Sequence, residues 1–236
     1  MSHRSVFGLA TIAALSFLAV DSGDAGAAEF ILRVHNAGAE NGMTYADGTT
    51  HAPALSWGVW VLHAGPSPLF SPGQPAGKNG LEDLAEDGNP FVFDETLPRR
   101  DGVKAHGVLK ARPVDGLATI YPGMLFRALI DAAPGDRLSF AIMFEQTNDG
   151  FYAFAPEGVA LFDDAGNPIS ADLTSQVMLW DAGTETNQPL GNGADNGINQ
   201  SGPNVGPDEN GIVQMSGNDA AYPPVASVIR VTIEPR

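Results

Sequence analysis

The residues with the clearest chemistry lie in two short acidic stretches, Thr147-Asn148-Asp149-Gly150-Phe151 and Trp180-Asp181-Ala182-Gly183-Thr184-Glu185. Short carboxylate side chains on turning, glycine-containing backbone can converge on one point. Ca2+ takes about six to eight oxygen ligands in a flexible arrangement, so it suits such a place. Asp181 and Glu185 are four residues apart with Gly183 between them, and a tight turn brings both towards one ion. Asp149, Asp181 and Glu185 are therefore the expected ligands of a divalent-cation site, with Ca2+ as the expected ion. The alternative is plain turn chemistry, because Asp, Asn and Gly also shape loops through side-chain hydrogen bonds and positive φ.

A shared ion places a demand on the fold. Each acidic stretch follows an apolar run that reads as a strand, Leu138 to Phe144 before the first and Val177 to Trp180 before the second. Both strands must end at the same edge. Further strands are expected over Glu29 to His35, Leu55 to His63, Met124 to Ile130, Phe151 to Phe154, Gly158 to Phe162, Ile212 to Met215 and Val225 to Ile233. Ala133-Pro134-Gly135-Asp136 is a turn signal that makes a hairpin of its flanking strands. Leu81, Leu84 and Ala85 fall at helical spacing before Gly88, which predicts one short helix after a Pro-rich loop. Short strands and frequent turns predict an all-β, antiparallel eight-stranded β-sandwich with one short helix and long loops.

Composition agrees with this architecture. Gly (28) and Pro (18) make up about a fifth of the 236 residues, favouring turns over long helices. The formal charge of −16 argues against a nucleic-acid partner, which calls for basic patches. The basic residues Arg99, Arg100, Lys104, Lys110 and Arg112 read as a solvated rim, and His35 and His63 as surface or capping histidines. Gly73 to Lys78 is one residue too short for a phosphate loop, and Asn79 stands where Ser or Thr is required.

The start of the chain carries an address. His3 and Arg4 precede an apolar run from Val6 to Val20, and small residues follow at Ala25, Gly26, Ala27 and Ala28. That layout predicts a signal peptide over residues 1–28, cleaved after Ala27 or Ala28, and a single domain over 29–236. The expected location is secreted or periplasmic. The absence of cysteine rules out disulfides and thiolate metal sites, and an exported chain without disulfides points to a bacterial source.

Three stretches, taken in order, resemble the spondin N-terminal domain family. The first is Ser67-Pro68-Leu69-Phe70 with the segment from Gly80 to Gly88. The second is Pro134 to Phe140 running into Asn148-Asp149-Gly150-Phe151. The third is Asp181-Ala182-Gly183-Thr184-Glu185 with the closing strand from Val225 to Ile233. The resemblance covers residues 29–236. It implies a C2-like sandwich whose loops bind Ca2+ at one end, with the family's ligands falling on Asp149, Asp181 and Glu185. Glu185 stands where animal members usually carry Asp, and their disulfides are missing here.

The function expected from these readings is a non-enzymatic calcium-binding module for adhesion, matrix association or ligand binding. Its partner would be an extracellular or periplasmic protein or glycan. Membrane docking ranks lower, because residues 181–210 carry no basic cluster. The competing expectation is a metal-dependent hydrolase using the same carboxylates. Neither a His-Glu-x-x-His nor a Gly-x-Ser-x-Gly motif accompanies them.

Overall fold

The computed structural model describes residues 26–111, 119–216 and 222–236, and antiparallel strands dominate them. The strands are β1 (Ala28–Asn36), β2 (Met43–Thr44), β3 (Thr50–His51), β4 (Leu55–His63), β5 (Val103–Leu109), β6 (Thr119–Ile120) and β7 (Leu125–Ala132). They continue as β8 (Arg137–Phe144), β9 (Gly150–Phe154), β10 (Val159–Ala160), β11 (Ala171–Asp172), β12 (Val177–Asp181), β13 (Gln214–Met215) and β14 (Ile229–Pro235). One sheet has the order β11-β14-β1-β7. The other runs β13-β12-β9-β8-β4-β5, with β10 added beside β8 and β6 beside β4. The expected all-β sandwich is present. It has more strands than the sequence predicts, because β2, β3, β6 and β11 are only two residues long, too short to show alternation, and β5 lies among the basic residues read as a rim.

The main core lies between the two sheets. Phe30, Leu32, Val34, Phe126, Ile130, Val231 and Ile233 of the smaller sheet meet Leu62, Phe140, Ile142, Phe144, Tyr152 and Phe154 of the larger one. Phe140 and Phe154 pack edge to face with ring centroids 4.7 Å apart, a geometry worth about 0.5–1.5 kcal/mol beyond area burial. The larger sheet also buries its other face. Val59, Val61, Ala141, Phe151, Ala153 and Trp180 form a second core with Leu69, Phe70, Leu81, Leu84 and Phe93. Burial on both faces explains why β8 and β9 read as nearly continuous apolar runs, with Ser139 the polar residue inside β8, rather than as alternating strands.

Two short α-helices cover that outer face, α1 (Leu81–Asp87) and α2 (Phe91–Thr96). Helix α1 is the predicted one. It turns Leu81, Leu84 and Ala85 inward and ends at Gly88 in the left-handed conformation. Helix α2 lies in a stretch with no helical period, where buried Phe93 anchors it and the Asn89 side chain accepts a hydrogen bond from Phe91 N. Among the described residues no helix is long and apolar enough to cross a membrane. Residues 1–25, most of the expected signal peptide, lie outside the described residues.

Two expectations about polar side chains are corrected. His63 is fully buried rather than at the surface. Its Nδ1 lies 2.9 Å from the Gly65 carbonyl and its Nε2 2.9 Å from Ser139 Oγ, so both ring nitrogens are satisfied inside the fold. Arg100 is no part of a solvated rim. Its guanidinium donates to the carbonyls of Pro68 and Asn79 and to Thr96 Oγ1, tying the Pro-rich loop to α2. Arginine suits that role because its planar fork carries five donors.

Candidate metal centre

Strand pairing brings the two acidic stretches together. Strands β9 and β12 are antiparallel neighbours with Asp181 opposite Gly150, so Asp149 precedes β9 at the edge where Asp181 ends β12. The turn between β8 and β9 is held by Thr147, whose hydroxyl donates to the Phe144 carbonyl at 2.6 Å and accepts from Gly150 N at 2.9 Å. Beyond Asp181 the chain turns sharply at Gly183, with φ of 67°. A Cβ there would stand 2.6 Å from the Ile212 carbonyl oxygen, so glycine is required both by conformation and by the close approach.

The turn after β12 is built against Asp149. One oxygen of Asp149, Oδ2, accepts from Thr184 N at 2.9 Å, Glu185 N at 3.2 Å and Thr184 Oγ1 at 3.4 Å. The other, Oδ1, is buried and has no hydrogen-bond partner. Asp181 Oδ1 accepts from Gly183 N at 2.7 Å, and its Oδ2 accepts from the Asn187 side chain at 2.9 Å. Asn148, the residue before Asp149, bonds the Thr186 carbonyl and Gln188 N, extending the same brace.

Of the three expected ligands, the structure brings Asp149 and Asp181 together. The third carboxylate in reach is that of Glu209, and one oxygen from each of the three lies within 4.8 Å of the others. Oxygens around one Ca2+ at about 2.3–2.6 Å from the ion are at most about 5 Å apart, so this spacing fits a shared ion. Glu185 is buried close by but stands outside the triad. Glu209 reaches the site because residues 207–211 run back along the Gly183-to-Thr186 turn. Glu209 N bonds the Thr184 carbonyl, Gly211 N that of Gly183 and Thr186 N that of Pro207. Its sequence signal was modest: an acidic turn, Pro207-Asp208-Glu209-Asn210, ahead of a short strand that pairs with β12.

The charges at this edge repel one another. Burial, reinforced by the carboxylate of Asp181, pushes Asp149 up to about 7, against the pull of its bonds from Thr184 and Glu185. Burial and Asp181 also raise Glu209. Burial raises Glu185 to about 8, with Glu86, Asp149, Asp195 and Asp87 adding to it. Among the described residues, the ion pairs of Lys and Arg are Arg33–Glu234, Lys104–Asp136, Arg230–Asp172 and Arg236–Glu29, and none involves these carboxylates. A depression of about 340 Å³ beside the loops is lined by Lys78, Glu82, Thr184 and Asp208, with no histidine among its lining residues.

Two buried carboxylates and an exposed third, mutually repelling and with one orphaned oxygen, are a donor set for a hard divalent cation. The residues present thus fit the ion that the sequence led us to expect. A scan against protein-family models gives no match for this chain, and a search of curated proteins finds no similar sequence.

Proposed function

We propose that the chain is an exported, calcium-binding β-sandwich of the spondin N-terminal kind, acting without catalysis as an adhesion or ligand-binding module. The partner in this reading is an extracellular or periplasmic protein or glycan, and Ca2+ ties together the loops that end the sandwich. One observation carries the calcium part: Asp149, Asp181 and Glu209 converge with a buried Asp149 oxygen that nothing donates to. The cation would bind these three carboxylates, cancel their repulsion and fix residues 181–186 against residues 207–211. The motif resemblance supports the exported, adhesive part.

Calorimetric titration of chelator-treated protein with Ca2+ and with Mg2+ tests the reading, followed by melting with and without Ca2+. At a hundredfold excess over Kd, binding should stabilise the fold by about 2.7 kcal/mol. For a domain of this size that is a rise in Tm of about 5–10 °C. Absence of binding heat together with an unchanged Tm in chelator would leave the acidic loops as ordinary turns.

A further inference from the structure

We propose that the open side of the sandwich, between β5 and β7, binds a small carboxylate with an apolar body. Strand β5 ends the larger sheet and β7 ends the smaller one, and an isolated bridge, Ala111 with Phe126, joins them. Further along each strand, at Val108 and Leu129, the edges do not pair. A cleft of about 450 Å³ lies there instead, with Trp60, Ala128, Arg127 and Arg236 completing its lining. Small-molecule sites have this character: about 300–1,000 Å³, mostly apolar walls and a few placed polar groups. The sequence keeps the cleft open. Trp60 lies opposite Gly107 on β5, and a Cβ at 107 would stand 2.7 Å from Trp60 Nε1. Only glycine lets the indole lie across that edge, and Ala128 on β7 is likewise too small to fill the gap.

Charge selects the ligand. In a chain of formal charge −16, the cleft is lined by two arginines and no acid. Arg127 stands opposite Arg33 of β1, and like charges placed so on neighbouring strands repel. Two nearby acids are already engaged, Glu234 by Arg33 at 2.6 Å and Glu29 by Arg236 at 2.7 Å. Arg127 has no ion pair among the described residues. A carboxylate at the rim supplies the missing partner, and the planar guanidinium fork can bind both its oxygens. The apolar body of the ligand then lies along Trp60, Val108 and Leu129. Leu129 is 47% exposed, so a ligand there covers a large apolar side chain that the fold leaves in water.

The cleft shares no residue with the acidic loops, so this site stands or falls independently of calcium. Octanoate is the probe, and 1H–15N spectra of the labelled protein are the readout, with Trp60→Phe identifying the indole resonance of Trp60. Octanoate should shift that resonance saturably, whereas octan-1-ol and octylammonium at the same concentrations should leave it in place. Arg127→Gln changes an exposed side chain, so its circular-dichroism spectrum should match that of wild type. Its affinity for octanoate should fall by about tenfold, the loss of one charge-assisted pair. An unmoved Trp60 resonance, equal binding of octan-1-ol, or undiminished affinity in Arg127→Gln would each overturn the proposal. So would a Trp60 resonance that shifts with protein concentration alone, which would mean that a second copy of the chain fills the cleft.

Discussion

Replacing Asp149 by Asn separates the charge of this residue from its shape. In metal-free protein Asp149→Asn should raise stability at pH 8 and have little effect at pH 5. The side-chain carbonyl of Asn can accept the bonds that Thr184 and Glu185 give to Oδ2, and its amide takes the place of the unpartnered Oδ1 beside Asp181. The sign follows from the raised carboxyl. Asp149 titrates near 7 in the fold, against about 3.9 in an unfolded chain. A group raised in this way contributes stability that is full below about pH 4 and is lost as pH climbs through about 7. Between pH 5 and pH 7 that loss is about 3 kcal/mol for wild type, at ~1.4 kcal/mol per pH unit, and Asn does not share it.

The gap in Tm between variant and wild type should therefore widen by about 6–12 °C from pH 5 to pH 8. Thermal melting in chelator at the two pH values measures it, and Ca2+ should raise the Tm of wild type but not of the variant. A variant less stable than wild type at pH 8, or a gap independent of pH, would show that Asp149 carries no buried, uncompensated charge. Asp181 is less suited to this test, because both its oxygens accept hydrogen bonds and Asn would lose one of them.

Three further outcomes are expected. Glu209→Gln removes an exposed ligand, so calorimetry should show calcium affinity lower by about tenfold, ~1.4 kcal/mol, while Tm in chelator stays unchanged. Gly183→Ala forces a side chain into positive φ against the Ile212 backbone, and denaturant unfolding should show a loss of about 1–3 kcal/mol together with weaker calcium binding. Amino-terminal sequencing of exported protein should find Ala28 or Glu29 first; a start at Met1 would defeat the predicted processing. Strand β1 begins at Ala28, which pairs with Ala132, so either cut leaves its pairing from Glu29 onward intact.

What the sequence determined by itself was local. Apolar runs such as Leu55 to His63 and Arg137 to Phe144 marked strands, because a buried strand needs side chains that suit a packed, pleated surface. The Leu81, Leu84 and Ala85 spacing marked α1, since period and cap are both read within a few residues. Asp149 and Asp181 were legible for the same reason, each standing just beyond a strand whose end could be placed. Tertiary structure decided the rest. Glu209 joins the site through backbone pairing between residues 183–186 and 207–211, and no local pattern encodes which loop returns to which edge. Glu185 looked like a third ligand because it shares a turn with Asp181. The turn instead spends its Thr184 and Glu185 amides on Asp149 and leaves the Glu185 carboxylate buried outside the triad. Helix α2 and the burial of His63 depend on packing against the larger sheet and on Ser139, partners distant in the chain. Periodicity reports which face of an element is apolar; strand register and the pairing of distant loops decide which charges must share the same few ångströms.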